Sequence, residues 1–212
     1  AFSRIVRLGD GLDSAGHLSA EAIERTIRTL KICADKMQRR GVARYRAVAT
    51  AACRAARNNP EFVARVRRET GLELEVISGG EEARLAFTGV TPLIDPLMTR
   101  AVIFDIGGGS TEFIWVDADD PGAPRMLDRT SLDEGIVTLT RQLGDDRIAP
   151  AAYERCCAEL TDRLRAFDRR NAISRRIAEE GDVQILGASG TVTTVTAVHL
   201  DLPRYIRSRV DG

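Results

Sequence analysis

Apolar residues recur along this chain with two spacings that alternate. Short runs rich in β-branched and aromatic residues predict strands near residues 2–8, 46–49, 73–77, 102–106, 112–116, 126–132 and 183–186. Apolar residues three and four positions apart predict helices at about 19–41, 50–57, 60–71, 81–87, 134–143 and 151–170, and another after residue 190. Strands that alternate with helices are typical of an α/β fold.

One segment breaks the alternation. Residues 91–99 contain Pro92 and Pro96 and follow neither spacing, which is typical of a linker. The sequence therefore predicts two domains, residues 1–92 and residues 99–212.

The strongest chemical signal is Phe104-Asp105-Ile106-Gly107-Gly108-Gly109-Ser110-Thr111-Glu112. Three successive glycines allow backbone N–H groups to turn inward, and such groups bind anions, above all phosphate. Asp105 and Glu112 flank the glycines, and two carboxylates beside a phosphate indicate a divalent metal ion. No Lys follows the glycines and a strand comes next, so this is not a P-loop. The motif predicts metal-assisted phosphoryl chemistry; the alternative is a tight hairpin in which the glycines only make the turn.

Other candidates are weaker. Gly187-Ala188-Ser189-Gly190-Thr191 lies between a predicted strand and helix, where helix amides bind phosphate, but an ordinary turn explains it as well. Glu81 and Glu82 begin a predicted helix, whose dipole favours acids there, and we prefer that interpretation for Glu81. A carboxylate in a cleft can instead act as a general base. Arg54 could reach a phosphate from a helix of small residues, whereas Arg84 is expected at the surface or in an ion pair.

Composition narrows the function classes. The chain is 43% hydrophobic and 29% charged, as in soluble globular proteins, and no apolar run approaches the ~18 residues of a membrane span. A net charge of zero argues against non-specific nucleic-acid binding. Four cysteines without a CxxC spacing and two histidines make no zinc site. Reduced cysteines in a cytoplasmic protein are the simplest interpretation.

Together with Ala49-Thr50-Ala51-Ala52-Cys53-Arg54 and Ile77-Ser78-Gly79-Gly80-Glu81-Glu82-Ala83-Arg84-Leu85, these motifs resemble the exopolyphosphatase / guanosine pentaphosphate phosphohydrolase family in kind and order. The resemblance covers most of the chain. It implies a two-lobed, actin-like (ribonuclease H-like) α/β fold with a cleft between the lobes. The family's first strand and its Asp-x-Gly-[Thr/Ser]-Asn-Ser loop are not found here. We therefore expect a fold truncated at its N-terminus, with residues 1–92 as the remainder of the first lobe.

The resemblance also implies roles for individual residues. Glu82 matches the family's catalytic base, Arg54 an active-site arginine, and Asp105 and Glu112 the acids that bind Mg²⁺. The candidate phosphate-binding residues are Gly107, Gly108, Gly109, Ser110, Thr111, Gly187, Ser189, Gly190 and Thr191.

The activity expected from this resemblance is hydrolysis of terminal phosphoryl groups of inorganic polyphosphate, with release of orthophosphate. Guanosine pentaphosphate is the alternative substrate within the same family. Two competing hypotheses stay open: a kinase of the same superfamily, and a non-catalytic scaffold that binds nucleotide or polyphosphate. The family suggests a homodimer.

Overall fold

A computed structural model describes residues 2, 4–10, 12, 15–144 and 147–210. The chain forms two compact units, Ala1–Gly79 and Gly80–Gly212, and strands alternate with helices in both. The predicted α/β fold class is confirmed. In the first unit the elements are α1 (Ala20–Arg39), β1 (Ala47–Ala49), α2 (Ala51–Ala55), α3 (Asn59–Thr70) and β2 (Leu74–Val76).

The second unit contains most of the secondary structure. Its elements are α4 (Gly79–Val90), a 3₁₀ turn (Thr91–Leu93), β3 (Arg100–Ile106), β4 (Thr111–Asp117), β5 (Arg125–Leu132), α5 (Ile136–Leu143), α6 (Pro150–Asn171), α7 (Ile173–Glu179), β6 (Val183–Ala188), α8 (Ser189–His199) and α9 (Arg207–Val210).

The first unit is held together by the apolar faces of α1 and α3. Ile27 and Val66 are fully buried, and Phe62 is 1% exposed within the same cluster. Strands β1 and β2 pair in parallel beside these helices. Ser19 accepts a hydrogen bond from the Ala22 N–H and so caps α1, as its position in the sequence predicts.

The strand predicted at residues 2–8 is not found: of its residues the structure describes 2 and 4–8, and none of these is in a strand. The Arg25 guanidinium donates to the carbonyl oxygens of Val6 at 2.6 Å and Arg7 at 3.1 Å. Ile5 lies on the same side of the alternating pattern as Arg7 and is 85% exposed, whereas Val6 and Leu8 on the apolar side are partly buried, and Leu8 packs against the core of the first unit. The apolar side is therefore partly buried without a strand, because the Arg25 side chain replaces the strand partner of two carbonyl groups.

The second unit is built on a four-stranded sheet with the order β5-β4-β3-β6. Neighbours pair antiparallel except β3 and β6, which are parallel. Because successive side chains of a strand point to opposite faces of the sheet, the sheet contributes to one hydrophobic core on each face. On one face, the fully buried Ile103 and Ile114 pack with Ala83 of α4. On the other, Trp115 packs with Phe167 of α6.

Helix α4 belongs to the second unit because Ala83 and Val90 pack in the sheet core. The division of the chain accordingly lies between Gly79 and Gly80. The predicted linker, residues 91–99, lies within this second unit. Ile94, in that predicted linker, packs against the same core as α4.

Candidate active site

The glycine motif forms the tip of the hairpin between β3 and β4. Ile106 and Thr111 are the last paired residues, and the Gly107 N–H donates to the Ser110 carbonyl at 2.9 Å. Gly108 and Gly109 therefore occupy the two tip positions of a tight turn. The hairpin common to both interpretations of the motif is present, and phosphate binding stays a prediction.

The backbone of this tip has a defined orientation. The carbonyl oxygen of Gly107 accepts from the Ile136 N–H at 3.0 Å, and that of Gly108 from the Val137 N–H at 2.8 Å. The C=O and N–H of a trans peptide point in opposite directions, so the N–H groups of Gly108 and Gly109 point away from α5. Within the described residues neither N–H has a hydrogen-bond partner. The tip thus presents two amide donors on one side.

Three of the predicted acids lie together beside the tip. Asp105 and Glu112 are paired residues of β3 and β4, on the sheet face that α4 covers. Glu82 lies in the first turn of α4. Burial raises the pKa of Asp105, and the charge of Glu82 raises it further. The structure therefore collects the proposed base and both proposed metal ligands in one place.

Glu112 is the most enclosed acid of this cluster, at 1% exposure. Burial raises its pKa, and the charges of Glu82 and Asp105 act in the same direction. The Ser131 hydroxyl donates to Glu112 Oε1 at 3.0 Å, and the Ser110 hydroxyl also hydrogen-bonds this carboxylate; both bonds favour the ionised form. Ser110 therefore holds an acid of the site. Ser131 was not selected from the sequence, because only the register of β5 against β4 places it opposite Glu112.

The second run of small residues lies beside the hairpin because β6 pairs with β3, with Ala188 opposite Asp105. The Ser189 hydroxyl donates to the Ile106 carbonyl at 2.7 Å and is also a hydrogen-bonding neighbour of the Asp105 carboxylate. A single hydroxyl proton can serve only one of these acceptors at a time. Ser189 has a φ of +88°, a strained value for a residue other than glycine.

Gly187 and Gly190 differ in what surrounds them. A Cβ on Gly187 would lie 2.7 Å from the Phe104 ring and 2.7 Å from Val192, so close packing requires this glycine. A Cβ on Gly190 would meet no atom within 4 Å. The backbone N–H groups of Gly190 and Thr191, in the first turn of α8, remain predicted phosphate donors.

The hydroxyl of Thr111 is buried and already donates a hydrogen bond, unlike a hydroxyl that binds phosphate. Thr111 is 9% exposed, and its hydroxyl donates to the Glu134 carbonyl at 2.7 Å. While that bond is made, Thr111 has no side-chain proton to give to a phosphate oxygen.

Arg54 and Glu81 have identified partners. Arg54, in the first unit, donates from Nη1 to the Ile77 carbonyl at 3.0 Å. Its predicted contact with phosphate stays a prediction. Glu81 forms a two-bond ion pair with Arg84, at 2.7 and 2.8 Å, as expected for an acid and a cation one helical turn apart. The surface ion-pair interpretation of Arg84 is confirmed.

Sequence reasoning also missed Arg129. It lies on β5 two residues before Ser131 and therefore on the same face of the sheet. Its guanidinium packs on Gly80, where a Cβ would lie 2.5 Å from Nη2. Nothing in the sequence around Arg129 indicates that its side chain lies against Gly80.

The acid cluster offers two carboxylates to a metal ion. In the described part of the chain, no group of three or more His, Cys, Asp or Glu side chains has the arrangement of a metal site. Mg²⁺ commonly takes one or two carboxylates together with water and phosphate oxygens. Asp105 and Glu112 supply two such carboxylates, so they fit a magnesium site that is completed by substrate.

Other features agree with the composition. All four cysteines, Cys33, Cys53, Cys156 and Cys157, are free thiols, and burial raises the pKa of Cys53 to about 11. Of the helices described, none is both long and apolar enough for a membrane span.

The chain matches known proteins over nearly its whole length. The model of the Ppx/GppA phosphatase family matches residues 2–204. An exopolyphosphatase-like protein is 31% identical, with a TM-score of 0.83 over 99% of this chain and 64% of that one. A Ppx/GppA family member from Aquifex aeolicus is 31% identical, with a TM-score of 0.71 over 99% and 63%. An exopolyphosphatase from Cytophaga hutchinsonii ATCC 33406 is 25% identical, with a TM-score of 0.68 over 96% and 63%.

These matches confirm the resemblance drawn from the motifs and the α/β fold that it implied. The chain covers 64% of the first of these solved proteins and 63% of each of the other two. It therefore spans less than two thirds of their length.

Proposed function

We propose that this chain, which belongs to the Ppx/GppA phosphatase family, carries part of the active site of an exopolyphosphatase. The enzyme would remove terminal phosphoryl groups from inorganic polyphosphate and release orthophosphate. The observation that supports this proposal is the cluster of Glu82, Asp105 and Glu112 beside two outward-facing glycine N–H groups. Phosphoryl transfer to water needs acids that bind a metal ion and activate a water molecule, and it needs donors that bind the phosphate oxygens. This cluster places both kinds of group side by side.

The phosphate end of this mechanism belongs to the hairpin tip. The N–H groups of Gly108 and Gly109 would bind oxygens of the terminal phosphoryl group and stabilise the charge that develops on them. Asp105 and Glu112 would hold Mg²⁺, which when bound would neutralise negative charge on phosphate oxygens.

Glu82 would be the general base. It would take a proton from the water molecule whose oxygen attacks the terminal phosphorus. As that O–P bond forms, the bond from phosphorus to the bridging oxygen breaks, and the electron pair leaves with the shortened chain. Glu82 is partly exposed, so water can reach its carboxylate, as this role requires.

We propose polyphosphate rather than guanosine pentaphosphate as the substrate for one reason. Two of the similar solved structures are named for exopolyphosphatase activity, in one case as an exopolyphosphatase-like protein. We further propose a homodimer in the cytoplasm, and light scattering tests its mass.

The decisive experiment is orthophosphate release from long-chain polyphosphate and from guanosine pentaphosphate, each with and without Mg²⁺. It is run on this chain and on its longest natural form. Mg²⁺-dependent release from polyphosphate supports the proposal, and release from the nucleotide alone moves the substrate to the family's other branch. Formation of ADP with an acceptor would identify a kinase instead.

Two glutamate variants separate the roles of neighbouring acids. Glu82→Gln is expected to reduce turnover at least ~10²-fold with binding largely kept. Glu81→Gln is the matched control, because Glu81 pairs with Arg84. Equal turnover in Glu82→Gln and the unaltered protein would remove Glu82 from the mechanism. Tight polyphosphate binding without turnover in either protein would favour a scaffold.

A further inference from the structure

The first turn of α5 is built directly against the glycine hairpin. The first N–H groups of a helix have no partner within the helix. Here two of them have partners in the hairpin, since Ile136 and Val137 donate to the carbonyl oxygens of Gly107 and Gly108. The helix start therefore binds the two peptide groups that set the direction of the hairpin amides.

Gly135 makes this contact possible. A Cβ at this position would lie 2.5 Å from the Gly107 carbonyl oxygen and 2.6 Å from the Gly108 carbonyl carbon. These are backbone atoms, which cannot swing aside as the end of a side chain can. The φ of Gly135 is −132°, a value open to any residue, so the glycine is needed for close approach and not for its backbone conformation.

Two threonines fix this turn from either side. Thr111, the first residue of β4, donates from its hydroxyl to the Glu134 carbonyl at 2.7 Å. Thr138 accepts from the Gly135 N–H at 2.7 Å through its hydroxyl oxygen. The residue before Gly135 is thus tied to the hairpin, and Gly135 itself is tied to the helix.

A hairpin tip made of glycines needs such a support. Glycine has more accessible backbone conformations than any other residue, so a free tip would lose much entropy when it binds a ligand. Rotation of one tip peptide would also exchange an N–H for a carbonyl oxygen, which repels phosphate. A tip whose carbonyls are already bound has its donors oriented in advance.

We infer that the turn of residues 134–137 is a positioning element that aims the N–H groups of Gly108 and Gly109 at a phosphate. Gly135 and Thr111 are positioning residues that act through the hairpin backbone without touching the ligand. The identity of the ligand rests on the proposed function. The orientation of the tip rests on the hydrogen bonds alone.

The test uses inorganic tripolyphosphate as the probe and a Glu82→Gln background that prevents its hydrolysis. Calorimetry is expected to show binding weakened about tenfold by Thr111→Val, which keeps the shape of the side chain and removes the hydroxyl. Thr111→Ser should restore most of the affinity. Thr130→Val is the matched control, because Thr130 lies in β5 and its hydroxyl makes no hydrogen bond within the described residues.

A second measurement reads the tip without any ligand. In ¹H–¹⁵N spectra, the amide signals of Gly108 and Gly109 are expected to shift in Thr111→Val and to stay in place in Thr130→Val. Gly135→Ala should shift them further and weaken tripolyphosphate binding more, about 10²-fold. Its matched control is Gly89→Ala, where a Cβ would meet no atom within 4 Å.

The outcomes separate this inference from the proposed function. Weakened binding together with shifted glycine signals supports the inference. This holds even if the chain hydrolyses nothing, because absence of hydrolysis counts only against the proposed phosphatase activity. Unchanged glycine signals in Thr111→Val overturn it, and they would assign Thr111 as a direct ligand if binding still weakened. If the Glu82→Gln chain itself does not bind tripolyphosphate, the inference that the hairpin amides point at a phosphate is wrong, whatever the spectra show.

Discussion

Replacing Asp105 by Asn is expected to stabilise the fold at neutral pH while it impairs the proposed catalysis. Asp105 lies opposite Glu112 in the sheet and close to Glu82, and burial followed by the charge of Glu82 raises its pKa. Keeping Asp105 ionised therefore costs free energy that a neutral amide does not. Asn has nearly the same shape and still accepts a hydrogen bond from Ser189.

The pairing of the strands gives the scale of one further contribution, the repulsion between Asp105 and Glu112, whose pKa the charge of Asp105 raises. Opposite residues in antiparallel strands have Cα atoms ~4.5–5.5 Å apart, and two unit charges at about 6 Å repel by roughly 3 kcal/mol at an effective dielectric constant of about 20. Asp105 is only partly buried, so solvent screens much of this repulsion. We expect a gain of about 1 kcal/mol in the free energy of unfolding. That corresponds to a rise in Tm of roughly 2–4 °C for a chain of this size.

The sign of the pH dependence makes the prediction specific. When the pKa of an acid is higher in the folded state, folding binds a proton over that range and stability falls as pH rises through it. Below the ordinary aspartate pKa of 3.8 the carboxyl is neutral in both states, so wild type and Asp105→Asn should differ little. The advantage of the variant should appear as pH rises through the raised pKa and then persist.

Urea unfolding of both proteins from pH 3.5 to 8 measures this difference directly. Asp119→Asn is the control, because it removes an exposed acid of the same unit and should change stability by less than ~0.5 kcal/mol. Millimolar Mg²⁺ should stabilise wild type more than Asp105→Asn, since an ion that binds only the folded state raises its stability. A less stable Asp105→Asn at pH 7, or an advantage independent of pH, would refute the electrostatic reasoning.

Three further predictions concern stability away from the acid cluster. Gly89→Ala in α4 should raise the free energy of unfolding by ~0.5–1 kcal/mol, because a Cβ meets no atom within 4 Å; an unchanged urea midpoint would contradict this. Phe62→Ala should lower it by about 3–5 kcal/mol, since Phe62 is 1% exposed, and a loss below 1 kcal/mol would show that the core collapses around the gap. Asp117→Asn should destabilise at pH 7 but less on acidification, because the hydrogen bond from Arg125 lowers the pKa of Asp117 and that stabilisation is lost as pH falls; a penalty constant with pH would exclude this pair as its cause.

The parts of the fold that were predictable are those specified by neighbouring residues. The β-branched runs on both sides of the glycines predicted strands at 102–106 and 112–116, and the structure has strands at Arg100–Ile106 and Thr111–Asp117. Glu81 and Arg84 were predictable for the same reason, because helical spacing alone brings them together. The strand predicted at 2–8 failed because its outcome depended on Arg25, which is far away in sequence.

The parts that were not predictable depend on register and docking. Ser131 reaches Glu112 only because β5 pairs with β4 in one register, and a shift of one residue would turn it to the other face. Gly135 is needed only because the start of α5 approaches the Gly107 carbonyl. Helix α7 was not predicted, and it follows a turn in which Ala172 has a φ of +52°. No local pattern marks any of these three positions.

The geometry of the acid cluster is set by the same packing that forms the core of the second unit. The face of the sheet that buries Ile103 and Ile114 also carries Asp105 and Glu112, two residues further toward the hairpin. Ala83, 1% exposed, seats the first turn of α4 on that face, and Glu82 is its neighbour in sequence. The apolar contacts therefore offset the repulsion among the acids, and they keep Glu82, the proposed base, beside the two carboxylates. A cluster whose own charges favour separation can persist only where such a core over-determines it.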